Sequence, residues 1–521
     1  MNPDDLSPGA LFPPPAGSPT TGSPTTGSAA GEQAGIGRLQ AEIDALIGEV
    51  ETEAGQRMAR WVPWNIREDF RPSAENLAAY LAFRHHDLRV LQRALMAQGL
   101  SSLGRLESRV MPTLAAVRAA LAAMRGTALP PESDPAAFFA GEERLRARAL
   151  ALLNPLHDRQ AALLVTCPAE AAHDPAFMES LAQRGVEALR INCAHDNADA
   201  WERMIAHARE AEMRCGHRFR IFMDLAGPKN RTGALRANRE IRRIFPGERI
   251  AMVAPGQLDR PVPSDVAFVI ECTLPEVLVQ ARPGERLLID DGKIAATTDF
   301  ADSGLLIASV TRTKEKGAKL KPEKGINLPD TALHLPALTA KDREDIAFIA
   351  EHADGLSFSF VQTPDDVRML QDALESLPAK RTSPLALILK IETALAVHNL
   401  PDIVVRAGAR NPVAVMIARG DLAIEIGFAR LAEMQEEILW IAEAAQVPVI
   451  WATQVLEQLV KEGLPHRGEL TDAAMAARAE CVMLNKGPHL FEAIDALDPL
   501  LRRMEGHIHK KTPQLRPLAS W

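Results

Sequence analysis

The chain has 521 residues, with 59 Lys and Arg against 68 Asp and Glu, a formal net charge of -9 and a pI near 5.9. That length gives room for about two or three domains and a large core, and the acidic balance excludes the basic field that nucleic acid or an anionic membrane surface would require. Five scattered cysteines (Cys167, Cys193, Cys215, Cys272, Cys481) form no CxxC pair or even framework; with no leader-like N-terminus and no membrane-length apolar run, a cytoplasmic protein is expected.

Residues 1–32 carry Ser18-Pro-Thr-Thr-Gly-Ser-Pro-Thr-Thr-Gly27 and read as a disordered low-complexity tail. Over 33–153 apolar residues recur at three- and four-residue intervals, as in Leu39-Gln-Ala-Glu-Ile-Asp-Ala-Leu-Ile-Gly-Glu-Val50, which predicts a helical extension packed on the rest of the protein or on a partner.

From residue 154 the pattern changes. Eight short apolar runs end in turn or charged residues: 162–166, 187–191, 220–224, 355–359, 385–389, 413–417, 447–451 and 480–484. Their onsets recur roughly every 25 to 35 residues, the length of a strand plus a crossover helix. Helical periods lie between them at 174–185, 198–215, 364–377 and 431–445. Eight such units predict an α/β fold, a TIM (β/α)8 barrel over 154–228 and 329–510, with its chemistry at the C-terminal ends of the strands. One gap breaks the rhythm. Residues 229–328 hold turn signals such as Pro255-Gly256 and Asp290-Asp291-Gly292 between short apolar runs, so they predict a small inserted all-β domain, with a lid over the strand ends as its natural use. Residues 511–521 remain as a C-terminal tail.

Charged and polar residues gather at the predicted strand exits: Arg190, Asp224, Lys390, Glu392, Asp421 and Thr453. Glu392 and Asp421 leave neighbouring strands five and six, so their carboxylates can share a hard cation such as Mg²⁺. Lys390, two residues from Glu392, lies on the same strand face. A fixed ammonium beside such a metal suits a developing enolate or a transferring phosphoryl group. A lone Lys-x-Glu is more often a solvated edge pair; several charges on one barrel face weaken that reading.

Four segments carry a family resemblance. Leu389-Lys-Ile-Glu392, Val415-Met-Ile-Ala-Arg-Gly-Asp-Leu-Ala-Ile-Glu425, Ile450-Trp-Ala-Thr-Gln-Val-Leu-Glu457 and Lys324-Gly-Ile-Asn-Leu-Pro329 resemble, in order, the signature strands of the pyruvate kinase family, and the likeness runs from about Leu163 to Leu500. The resemblance implies phosphoryl transfer from phosphoenolpyruvate to ADP with Mg²⁺ or Mn²⁺. Glu392 and Asp421 would hold the metal. Lys390 would stabilise charge on the phosphoryl group and the enolate, Thr453 would sit on the proton path, and Arg190 would face the phosphates. Ser359 and Gly420, with Asp421, Thr453 and Lys390, would seat the substrate, and Arg190, Asn192, His195, Arg231 and Lys324 would face the nucleotide. A homo-oligomer without nucleic-acid or membrane partners is implied as well.

The departures from the family pattern carry their own expectations. At the family's K⁺ position Asn192 and Asp224 persist, but Ala194 and Leu225 lack the hydroxyls. Lys229 replaces a glutamate, as in K⁺-independent members. The expectation is that K⁺ is not required because the Lys229 ammonium substitutes for it. After strand eight, Leu484-Asn-Lys-Gly-Pro-His-Leu490 lacks the family's glutamate and lysine, leaving Lys486 as the local cation beside the nucleotide. The sequence also stops about twenty residues after the last barrel helix, short of the family's further α/β regulatory domain. Two other readings are a Mg²⁺-dependent aldolase or lyase on the same barrel, disfavoured by Arg231 and Lys324, and an idle scaffold, disfavoured by the intact Lys390, Glu392, Asp421 and Thr453.

Overall fold

The computed structural model describes residues 29–127, 134–155, 159–238, 243–302, 304–331, 333, 335–378 and 384–513. Most of the expected low-complexity tail lies outside the described residues, but helix already begins at Ala29, four residues ahead of the predicted 33–153 segment.

Eight parallel strands close into a barrel: β1 (Ala162–Thr166), β2 (Ala188–Asn192), β3 (Arg220–Asp224), β4 (Gly355–Phe358), β5 (Ala386–Ile391), β6 (Val413–Ala418), β7 (Val449–Ala452) and β8 (Cys481–Leu484). Each pairs with its sequence neighbours, and β1 closes on β8 through Ala162 to Cys481 and Val165 to Leu484. The strands are continuous apolar runs because helices cover one face and the barrel interior fills the other; every residue of β5 and β6 is buried. The crossover helices start where the sequence supplies caps. Asp174 and Asn197 accept from Ala176 and Ala200 N–H, and Thr339 and Thr363 form capping boxes with Asp342 and Asp366.

Between β3 and β4 the chain leaves the barrel to build a seven-stranded sheet. Its spatial order is 326–327, 286–289, 294–302, 305–312, 249–253, 266–272, 232–237, and all pairs are antiparallel except 249–253 with 266–272. Its own apolar core includes Ile250, Phe268, Ile270, Leu287 and Leu306. The sequence pattern missed one short helix in this region, Glu276–Gln280.

The N-terminal extension folds as α1 (Ala29–Trp61), α2 (Arg71–Arg84), α3 (Arg89–Ala97), α4 (Val110–Met124) and α5 (Pro135–Leu153). It packs on the barrel. Leu152 and Leu153, at the end of α5 just ahead of β1, join the barrel-interior residues Leu164, Phe222, Ile388, Met416 and Met483. Trp61 Nε1 donates to Asp402 at 2.7 Å, Ser73 Oγ donates to Gln446 Oε1 at 2.6 Å, and Asn76 Nδ2 donates to the Ala444 carbonyl at 2.8 Å. At the C-terminus, Ile508–His509 pairs with Thr512–Pro513, so a small hairpin occupies the start of the region read as tail, while 514–521 lie outside the described residues.

Gly408, at the end of the Leu400–Gly408 helix, is where the barrel touches the fully buried Phe70 of the extension. A Cβ at Gly408 would lie 2.4 Å from that ring. Gly408→Ala is therefore expected to cost about 1–3 kcal/mol in urea denaturation, with part recovered by Phe70→Leu in the same background. A Gly408→Ala protein as stable as wild type would show that the extension does not dock through this contact.

Candidate active site

The strand ends bring most of the expected residues together. Arg190 on β2 sits in register with Phe222 of β3, two residues before Asp224. Its Nε donates to Asp224 Oδ2 at 2.8 Å, and its NH1 donates to Thr166 Oγ1 at 3.1 Å. The Lys390 ammonium lies 3.3 Å from Asp224 Oδ2 and 3.1 Å from Glu392 Oε1, and it donates to Ser359 Oγ at 2.8 Å. Ser359 is fixed in turn by donating to the Leu225 carbonyl at 2.7 Å, and Phe360 N–H donates to Glu392 Oε2 at 2.6 Å. Arg190 and Lys390 thus balance Asp224 and Glu392 in one buried cluster.

The ionisation of the cluster follows from this pairing. Burial would lower the Lys390 ammonium, but Glu392 and Asp224 hold it above the usual lysine range. Burial would raise Asp224, yet Arg190 and Lys390 keep it below the usual carboxylate range. Glu392 is raised: its burial, reinforced by the nearby charge of Asp421, outweighs Lys390 and Lys229.

Asp421 stands in the first turn of the Arg419–Ile426 helix, immediately after β6, rather than on the strand itself. Glu392 and Asp421 are the carboxylates able to hold Mg²⁺ or Mn²⁺. Their mutual repulsion is what a divalent cation relieves, and Mg²⁺ usually takes one or two carboxylates plus water and substrate oxygens. No group of three or more His, Cys, Asp or Glu forms a protein cage among the described residues. Thr453 follows β7 with φ +62°, a left-handed conformation unusual for a β-branched residue, and its Oγ1 accepts from Gly420 N–H at 2.8 Å. That conformation is held by Arg419, which the sequence reading left without a role: its guanidinium donates to the Ala452 carbonyl at 3.1 Å and the Thr453 carbonyl at 2.5 Å, pairs with Asp472 and stacks on Trp451.

Lys229 enters the site differently from the expectation. Its Nζ pairs with Asp421 Oδ1 at 2.6 Å, whereas Asp224 is held by Arg190 and Lys390, and Asn192 Oδ1 accepts from Ala194 N–H at 3.1 Å. The ammonium therefore adds positive charge beside a metal-ligand candidate. Gly227 permits the approach. With φ +67° it passes so close to Ser359 and Phe360 that a Cβ would meet them at 3.0 and 3.1 Å.

The nucleotide-side set is looser. Burial and the nearby charges of Lys486 and Arg231 depress the His195 pKa, so those three groups share one edge. The Lys324 ammonium is drawn to Asp290, 3.3 Å away on the inserted sheet, while its backbone lies beside Arg231: Arg231 bridges to Gly325, and Thr232 N–H donates to the Lys324 carbonyl at 2.8 Å. The second missed residue is Glu425, whose Oε1 accepts from Asn327 Nδ2 at 2.9 Å and so ties the returning end of the inserted sheet to the Asp421 helix. Both residues stood inside recognised motifs; only the three-dimensional contact reveals the tie.

A (β/α)8 barrel with an inserted β-sheet and a buried Lys/Arg/Asp/Glu cluster at its strand ends is the frame in which the comparisons fall. The family described as "Pyruvate kinase, barrel domain" matches residues 159–488. A pyruvate kinase from Agrobacterium vitis is 31% identical over 367 residues, covering 68% of this chain and 71% of that protein. A pyruvate kinase from Methylorubrum extorquens is 32% identical over 346 residues, covering 64% of this chain and 66% of that protein. In a solved pyruvate kinase from Cryptosporidium parvum, 25% identical, the match covers 67% of this chain and 70% of that one with a TM-score of 0.59. The chain belongs to the pyruvate kinase family. No described helix is long and apolar enough to cross a membrane.

Glu425 supplies a pH test. Burial and the Asp421 charge outweigh the Asn327 hydrogen bond and push its carboxyl up to about 7. A carboxyl raised on folding gives its full stabilisation below its unfolded value and loses it as pH rises through the folded value. Relative to Glu425→Gln, the wild type is therefore expected to lose about 3 kcal/mol of unfolding free energy as pH rises from the usual glutamate range through neutrality. Denaturation curves across that window whose difference stays flat would refute the assignment.

Proposed function

We propose that this chain transfers the phosphoryl group of phosphoenolpyruvate to ADP with Mg²⁺ or Mn²⁺, giving ATP and, after protonation of the enolate carbon, pyruvate. The observation that carries the reading is Lys390, kept charged between Asp224, Glu392 and Ser359 and beside Asp421. Phosphoryl transfer is chiefly positioning plus electrostatic stabilisation, which a preorganised buried cation provides.

In this reading the Lys390 ammonium faces the charge that moves from the phosphoryl group to the enolate oxygen. Arg190, locked on Asp224, orients the phosphate, and the Gly420 N–H and Thr453 hydroxyl lie where the carboxylate and the enolate carbon are seated. When bound, the divalent ion held by Glu392 and Asp421 supplies neutralisation of the phosphate and enolate oxygens. Ser359 positions Lys390. His195, Asn192, Arg231 and Lys486 form the nucleotide edge, which Lys324 joins on leaving Asp290. Lys229, already in the site as a fixed cation on Asp421, removes the requirement for K⁺. The homo-oligomeric state and cytoplasmic setting belong to this reading too. An aldolase or lyase has no phosphoryl group for Arg190, Arg231 and Lys486 to clamp, and an idle scaffold gains nothing from a buried ammonium.

Pyruvate formation from phosphoenolpyruvate is expected to require both ADP and a divalent cation, and Lys390→Ala should lower kcat by about 10²–10³. Metal-dependent pyruvate formation from oxaloacetate without ADP would select the lyase, and no turnover of either substrate with any nucleotide would select the scaffold. With Na⁺ as the sole monovalent cation the wild type should keep most of its activity. Lys229→Glu, which sets a carboxylate against Asp421, should lose it; strong K⁺ activation of the wild type would reject the Lys229 role.

A further inference from the structure

On the flank of the barrel, the N-terminal extension leaves a cavity of about 400 Å³ against the Phe428–Ala444 helix. Its walls come from α2, α3, the 103–107 loop, Trp440 of the barrel helix and Lys511 of the C-terminal hairpin. The size lies within the range of small-molecule sites. None of the residues assigned to phosphoryl transfer lines it.

The wall carries both signs of charge, with Asp87 and Glu107 beside Arg84, Arg89 and Lys511. Arg84 lies 4.9 Å over the Trp440 ring and Lys511 lies 4.2 Å over the same ring, so two cations crowd one indole. Lys511 is balanced by Glu107, which is buried. Arg84 is held in place by donating to the Tyr80 hydroxyl at 2.7 Å; among the described residues it closes no ion pair, although its charge reaches Glu437 on the barrel helix. Nearby Asp87 is engaged by Arg89 at 2.6 and 2.9 Å.

We propose that this cavity binds a compact multivalent oxyanion, a phosphomonoester or a small di- or tricarboxylate. The Arg84 guanidinium fork matches the paired oxygens of such a group, and Lys511 adds a second charge. Because its donors come from both the extension and a barrel helix, the bound anion also fastens one to the other.

The test is calorimetric titration of the full chain with orthophosphate and, separately, with citrate. The barrel mouth can also bind such anions, so the cavity is isolated by difference. The expected result is one class of site per chain whose Kd rises by at least about tenfold in Arg84→Ala and in Lys511→Gln but persists in Lys390→Ala. Occupancy should raise the Tm of wild type and not that of Arg84→Ala. A response to orthophosphate alone identifies a phosphate ligand, and to citrate alone a carboxylate. Superimposable titrations of wild type and Arg84→Ala with both probes overturn the proposal. If Arg84→Ala fails to fold, Lys511→Gln carries the same comparison, and a titration that matches wild type overturns it equally.

Discussion

The mouth of the barrel depends on keeping one buried ammonium charged. An isolated ion out of water costs several kcal/mol, and pairing repays this only when geometry is good and the remaining donors are satisfied. Lys390 meets that condition with Asp224, Glu392 and Ser359, while Arg190 supplies the second positive charge that lets Asp224 serve two cations. The four ionic residues come from β2, β3, β5 and the turn after β5, so each strand end is fixed by electrostatics as well as by the ladder. Removing any one leaves an uncompensated buried charge, and such groups do not act additively. Arg190, Asp224, Lys390 and Glu392 therefore form one unit whose geometry is set before substrate arrives.

The extension stabilises the opposite end. Leu152 and Leu153 enter the barrel-interior cluster just before the chain begins β1, filling space that small residues such as Ala162, Ala188 and Ala386 leave open. Further up, Phe70 lies over Gly408 and Ser73 and Asn76 bond the backbone and Gln446 at the end of the Phe428–Ala444 helix. The core of the barrel and that of the extension are accordingly continuous, whereas the inserted sheet keeps a separate core. One part is welded to the barrel and the other is joined to it through polar contacts.

That difference governs what could be read from sequence. The barrel strands were legible because burial on both faces forces uninterrupted apolar runs, and the helix starts were legible because capping residues act within four positions. Lys390, Glu392 and Arg190 were legible for a local reason: they sit on or beside strands whose direction is fixed. The path of Lys229 was not, since a long side chain leaving a glycine turn takes its direction from Phe360 and Asp421, far away in sequence. The direction of the Lys324 side chain was hidden for the same reason, its partner being Asp290 on the neighbouring hairpin. Arg419 and Glu425 lay within recognisable motifs, but their partners Thr453 and Asn327 are set by tertiary folding. The way the extension docks was invisible as well, because amphipathic periodicity says that a face is buried without saying against what.

The two connections of the inserted sheet converge on one helix. The outgoing connection carries Lys229, which bonds Asp421 in the first turn of Arg419–Ile426; the returning one carries Asn327, which bonds Glu425 one turn further on. A rigid rotation of the sheet about these connections must alter both contacts, and one of them belongs to a carboxylate of the candidate metal site. Opening the sheet would strip Asp421 of its fixed cation and expose Glu425, lowering the pKa that burial now raises. The sheet's position and the charge state of the strand ends are thus physically coupled, through residues four apart on a single short helix rather than through the barrel core.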